Sequence, residues 1–235
     1  MVRPKETERD LGKLNRNRKI GHVTIILLVI LCFIITIFFY PYLPQKMASH
    51  WGASGEVNGF MPKEVSAFLV PLIATVLAFV LYYTPKLDPL QKNIEKFREH
   101  YERFIVHLTV FFLFLQVIIL LWNVGIQIDF NIVMGLAFAL LFFSIGGLVS
   151  NSRQNYFIGI RTPWTLASEE VWNHTHSVGG KLFKACAIIS LIGVLVPALT
   201  LYFILVPIIA SAIAIFAYSY FDYKKVTTAK NQKRK

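Results

Sequence analysis

The chain has 235 residues, of which 55% are hydrophobic and 16% charged, with a formal net charge of +11 and a mean hydropathy of +0.55. Soluble domains run at about a quarter charged, so these charges are too few to coat a globule. They also fall in short stretches between long apolar runs, which excludes a soluble domain and predicts an all-α, polytopic membrane protein.

A helix rises about 1.5 Å per residue, so a hydrocarbon core about 30 Å thick takes about 20 apolar residues. Residues 1–22 form a basic arm, and residues 23–43 form the first uncharged run. That run is longer than a signal-peptide core of about 7–15 residues and no A-x-A site follows, so it predicts a retained span. After a loop at 44–64, residues 65–84 predict the second span, and with the first they make a two-span unit over 23–84. A connection at 85–103 leads to spans at 104–124 and 131–150. Residues 151–184 form a polar connection, and residues 185–221 then run uncharged for 37 positions. That length is too great for one span, and Pro197 lies near its middle. It predicts a helical hairpin, the fifth and sixth spans, turning at 198–201. The four-span unit thus covers 104–223, and a basic tail follows at 224–235.

Orientation follows from the basic residues of the short loops. The arm carries seven of them, the second connection five, the fourth connection four and the tail six, which is 22 of the 24 in the chain. The first connection has only Lys46 and Lys63. Both termini are therefore expected on the cytoplasmic side of a bacterial plasma membrane. The net charge is explained by this bias and by anionic lipids, so membrane lipids are the expected partner and no direct nucleic-acid binding is. The terminal KNQKRK run has no aromatic or structured company that would suit a nucleic acid.

The predicted spans are chemically quiet. No Asp, Glu, Lys or Arg interrupts them, which disfavours transport coupled to intramembrane charge. His107 is expected near the cytoplasmic interface, and Gln116 to bond a neighbouring helix. Gly146, Gly147, Ala210 and Ala214 are expected at close helix contacts. Cys32 and Cys186 suggest neither a disulfide nor a metal site.

Two loops carry the specificity. In the outer loop, Pro44 stops the first helix, and Ala53-Ser54-Gly55 and Asn58-Gly59 are turn signals, so a compact turn-rich structure is expected. His50 and Trp51 form an amphipathic pair, open to two readings: an interfacial anchor or an outward recognition surface. In the inner loop, Ser168 before Glu169 and Glu170 predicts a helix start. Gly179-Gly180 predicts its end, leaving Leu166, Trp172 and Val178 on a short surface helix. Arg161-Thr162-Pro163-Trp164 is a donor-rich turn suited to a carboxylate or another anion. His174 and His176 lie two apart, so on a helix they point in different directions and cannot share one ion. No metal site, cofactor, nucleophile–base pair or phosphate loop is predicted, and hence no enzyme.

The spacing Leu43-Pro44, His50-Trp51, Gly55, Gly59, Lys63 resembles the outer-loop signature of an otherwise uncharacterised bacterial membrane domain. The string from Asn155 through Gly159, Arg161, Thr162, Pro163, Trp164 and Leu166, then Trp172, Thr175, His176 and Gly179, resembles the hallmark of the SdpI immunity family. Together, in this order and on six spans, they match that family over nearly the whole chain. The resemblance implies protection against a secreted toxic peptide. It also implies a receptor role, in which a cytoplasmic ArsR-type repressor is held at the membrane. It marks His50, Trp51, Gly55, Gly59 and Lys63 as an outer recognition loop, and Asn155 through His176 as a cytoplasmic signature loop. The chain departs from the pattern at Gly52, at Asn58, at the unfixed His174 and in its long basic arm. An alternative from another class is a small transporter or exporter of a peptide or lipid-like compound.

Overall fold

The computed structural model describes residues 4–232, with side chains from residue 21 onward. The side chains of the basic arm before residue 21, and Lys233, Arg234 and Lys235 of the tail, lie outside the described residues. The elements in order are α1 (Pro4–Phe39), β1 (Lys46–Trp51), β2 (Val57–Pro62), α2 (Lys63–Leu87), α3 (Gln91–Glu95), α4 (Arg98–Asn123), α5 (Phe130–Asn151), α6 (Pro163–Ala167), α7 (Glu169–Gly193) and α8 (Thr200–Gln232). The six long helices alternate in direction, so the β-hairpin and the 152–168 loop lie at opposite ends of the bundle.

Among the described residues, five helices are long and apolar enough to cross a membrane: Gly21–Tyr42, Lys63–Leu87, Arg98–Asn123, Phe130–Asn151 and Pro197–Gln232. The fold is thus helical, and the first four predicted runs are helices. At α8, 33 residues make a rod of about 50 Å, longer than an apolar core needs. Its apolar part ends at Phe221, and the rod continues past Asp222, Lys224 and Lys225.

The predicted fifth span is where the structure differs. It is not a separate helix beginning at residue 185. α7 starts at Glu169 and runs unbroken to Gly193, so its first half is polar and only its last part apolar. The turn comes earlier than 198–201, with Pro197 opening a short 3-10 turn at Pro197–Leu199. Gly179 and Gly180 do not end a helix; both are buried inside α7. They serve packing instead. A Cβ on Gly180 would lie 2.9 Å from the Gly146 carbonyl oxygen and would run into Ser150 of α5. Small residues let two backbones approach this closely. Gly146 meets that expectation, but Gly147 faces open space and Ala210 and Ala214 are exposed. α8 turns Ser211, Ile215 and Ser219 inward instead, four residues apart along one face.

A second difference lies at residues 44–64, which form two antiparallel strands and not turns alone. Met47 pairs with Met61 and Ala48 with Phe60, and a bulge lies between Ala48 and His50. Met47 is fully buried against Leu43, Ala67, Val70, Ile119 and Leu120, so the hairpin shares the core of α2 and α4. The outside of the bundle exposes Phe38, Val76, Phe79, Leu195, Ile213 and Phe216. In water these would be a large apolar patch; in a bilayer they meet acyl chains.

Inside the bundle the polar contacts are few and specific. Pro71 lies within α2 and has no N–H, so the Ala67 carbonyl four residues earlier loses its helical donor. Gln116 of α4 fills that place: its Nε2 donates to the Ala67 carbonyl and to Thr36 Oγ1 of α1, both at 2.9 Å. The side chain is fully buried, so this amide ties three helices as expected. His107 bonds Ser144 Oγ at 2.9 Å and joins α4 to α5.

Replacing Gln116 with Leu should therefore destabilise the bundle by about 1–3 kcal/mol, the cost of an orphaned buried polar group. Pro71→Ala restores the missing N–H, so Gln116→Leu should cost clearly less in that background. Unfolding of the four proteins in detergent micelles measures the cycle. Strictly additive costs would show that Gln116 does not serve the freed carbonyl.

Candidate functional site

The two loops singled out by the sequence sit at opposite ends of the bundle, and the structure does not bring them together. At the hairpin end, the strand pair is clamped to the ends of α4 and α5. Asn123 accepts from the Ala48 N–H at 2.7 Å and donates to the Ala48 carbonyl at 3.1 Å. Asn131 donates to the Ala53 carbonyl at 3.1 Å. Trp51 stacks on Phe130 with centroids 4.3 Å apart and planes 5° from parallel, and meets Trp122 edge-on at 5.9 Å. Lys63 is buried with its ammonium 4.3 Å from the Tyr40 ring centroid. Gly55 takes φ +86° at the tip, a backbone region that suits glycine. A Cβ on Gly59 would stand 2.8 Å from His50 Cβ across the pair.

Of the five residues predicted there, only His50 is exposed; it bonds the Asn58 side chain. Trp51, Gly55, Gly59 and Lys63 build and seat the hairpin. Asn123, Phe130 and Asn131 complete the seat and escaped the sequence reading. Their one local signal is position, at a helix end and a helix start on either side of the short 124–129 turn.

At the other end, the 152–162 loop is irregular, and its side chains satisfy its backbone. Asn155 is fully buried. Its amide donates to the Arg153 and Ile158 carbonyls and accepts from the Phe157 and Ile158 N–H groups. Asp88, buried just after α2, accepts from the N–H groups of Leu90, Tyr156 and Phe157. Thr162 caps α6 in a reciprocal capping box with Thr165 and reaches Ser219 of α8 at 3.2 Å. Pro163 opens α6, and Trp164 packs edge-on against Phe216 and Tyr220. Ser168 caps α7 as predicted.

The surface-helix reading of Trp172 does not hold. Trp172 is fully buried, donates from Nε1 to the Ser152 carbonyl and stacks on His176 with centroids 4.0 Å apart. Gly159 takes φ +119°, and a Cβ there would stand 2.5 Å from His176 Nε2. Thr175 is buried beside them. Arg161 is the exposed charged member of the signature; it donates to the Tyr156 carbonyl. Asp88 escaped the sequence reading, and its signal was the Asp-Pro pair directly after a span.

His174 and His176 diverge. His174 pairs with Asp222 of α8 at 3.0 Å, and His176 is committed to backbone groups. Among the described residues, no three His, Cys, Asp or Glu side chains gather as a metal-ligand set.

His176 sets a clear acid sensitivity. Its Nε2 accepts the Ile160 N–H at 2.9 Å, so its Nδ1 carries the proton and donates to the Trp172 carbonyl at 2.8 Å. Burial pushes its pKa down from 6.5 to about 4, against a smaller upward pull from the Trp172 carbonyl. The folded state thus binds this proton less well than the unfolded chain does. The stability tied to neutral His176 is complete above pH 6.5 and is lost as pH falls towards 4, by roughly 3 kcal/mol in all. Thermal unfolding in micelles should show this acid slope in the wild type and a shallower one in His176→Gln. Equal slopes would place the titration elsewhere.

Comparison with known proteins gives three findings. Residues 151–219 match the SdpI/YfhL protein family. Residues 27–75, which hold the hairpin, match a domain of unknown function, DUF1648. The chain is 25% identical over 206 residues to the immunity protein SdpI of Bacillus subtilis (strain 168), covering 86% of this chain and 95% of that one. No solved structure matches. With the apolar helices, the match describes a multi-pass bacterial membrane protein. The resemblance drawn from the two loop motifs is thereby shown: residues 151–219 are an SdpI/YfhL family segment, in a chain whose sequence is similar along most of its length to a bacterial immunity protein.

Proposed function

We propose that the protein is a membrane immunity protein that protects its cell from a secreted toxic peptide. The observation that carries this reading is the similarity to an immunity protein over 86% of the chain, covering both loop motifs. In this reading α7 completes six spans with its apolar end, both termini are cytoplasmic, and the hairpin faces outward. The 22-to-2 division of basic residues supports that orientation. His50 and the exposed side of the hairpin meet the toxin, while Trp51 and Lys63 hold the surface in place.

Expression in a sensitive host, challenged with a panel of secreted bacterial peptides, tests the function. Survival on at least one peptide is the expected result, and death on all at normal membrane abundance would refute it. Orientation is tested separately: Ser54→Cys should label with an impermeant thiol reagent in intact cells and Lys92→Cys should not. The reverse pattern would invert the topology.

The same reading includes holding an ArsR-type repressor at the cytoplasmic end. Most of the signature is buried, so the surface left to a partner is Arg161 and a polar groove of about 720 Å³. Glu170 and Asn173 line it from α7, and Tyr223, Thr227 and Lys230 from α8. Thr227→Trp fills this groove at an exposed position. It should leave survival intact while a fluorescent repressor no longer gathers at the membrane; unchanged recruitment would move the partner site away from the groove.

A further inference from the structure

The hairpin has two edges, and only one is closed. Ala48 turns its N–H and carbonyl away from β2, where the Asn123 side chain takes both. Ala48 pairs with Phe60. In an antiparallel ladder, a residue whose groups point outward faces a partner whose groups also point outward, on the other side. The next bond along confirms the phase: Lys63 N–H donates inward to the Gln45 carbonyl at 3.0 Å, three positions from Phe60. The Phe60 N–H and carbonyl therefore form an open edge on β2, while the Pro62 carbonyl, at the N-cap of α2, accepts the first helical bond. Pro62 lacks an N–H and sits opposite Lys46 at an outward position, which needs no ladder donor.

Among the described residues, no group outside the strand pair bonds the Phe60 N–H or carbonyl. Phe60 is 61% and Met61 38% exposed, although both are apolar. Proteins usually blunt such an edge with charge or cover it, because unpaired groups there recruit another strand. Here the covering side chain, Asn123, is spent on the opposite edge. The exposed carboxylates of Glu56 and Glu64 bracket β2, while Lys63 between them is buried on Tyr40.

We infer that the free edge of β2 is the binding site for the toxic peptide, which adds as a third strand. Its backbone pairs with the Phe60 N–H and carbonyl. Its apolar side chains lie along Phe60 and Met61, and its basic groups lie towards Glu56 and Glu64. Backbone pairing supplies affinity in such complexes, and alternate side chains supply selectivity. The inference rests on the immunity reading and gives it a site, one that the five-residue loop signature does not contain.

The test uses a peptide against which the wild-type chain protects. Phe60→Pro removes the outward N–H without touching the hairpin ladder, and Phe60→Leu keeps the N–H and the apolar surface. Loss of one backbone bond should lower the protective threshold about tenfold in Phe60→Pro, with Phe60→Leu near wild type. A second arm needs no variant of the protein. Synthetic toxin peptides methylated at one backbone nitrogen at a time should lose binding to the wild-type chain in nanodiscs with a period of two along the bound segment. This arm decides if Phe60→Pro fails to reach the membrane. Protection by Phe60→Pro at normal abundance, or methyl effects without a two-residue period, overturns the edge site while the immunity function stands. A wild-type chain that protects against no peptide overturns both.

Discussion

The bundle depends on one exchange of hydrogen bonds deep between α1, α2 and α4. Pro71 takes an N–H out of the α2 ladder, and Gln116 returns a donor to the Ala67 carbonyl from another helix. In a hydrocarbon environment a free carbonyl has no water to turn to, so the missing bond must be met by protein. That makes the proline a device for joining helices and not a flaw in one. Apolar packing alone is a weak organiser there, since lipid tails are as apolar as leucine. One amide, reaching Ala67 and Thr36 together, sets the rotation of three helices and so places the seat on which the hairpin lies.

Both ends use the same economy of short polar side chains. At the hairpin end Asn123 and Asn131 hold a strand and a turn by their backbones. At the loop end Asp88 and Asn155 gather the backbone N–H groups of a segment that is neither helix nor sheet. Amides and carboxylates suit this work because one side chain meets several backbone groups at once. The glycine pair between α5 and α7 then fixes the loop end to the rest, since a Cβ on Gly146 or on Gly180 would crowd the other's carbonyl oxygen.

The first four apolar runs were legible because span length is set by bilayer thickness, and they became helices where expected. The join of the loop to α7 was not legible. Gly179-Gly180 reads as a stop when seen alone, yet the same pair inside a helix is a packing surface when a second small residue faces it. Only the tertiary partner, Gly146, decides between these. The hairpin was hidden for a related reason: Met47 and Ala48 are the sole buried positions of β1, too few to show a two-residue period. Ala210 and Ala214 misled because small size permits close contact without requiring it.

The signature loop shows why a long and unusual motif need not be a long contact surface. An irregular segment beside a membrane has backbone groups that no ladder satisfies, and each must find a side chain. Asn155, Thr162, Thr165, Trp172 and His176 spend their polar atoms in this way, and Gly159 gives His176 room to do so. Such a network constrains nearly every position, because replacing one member leaves its partner orphaned and buried. The motif is therefore dense where the fold is most demanding, and the network leaves Arg161, Tyr156 and Phe157 on the outside. By the same logic the outer signature marks Trp51 and Lys63, which seat the hairpin, and passes over Phe60, whose backbone faces outward and whose side chain is under no packing constraint.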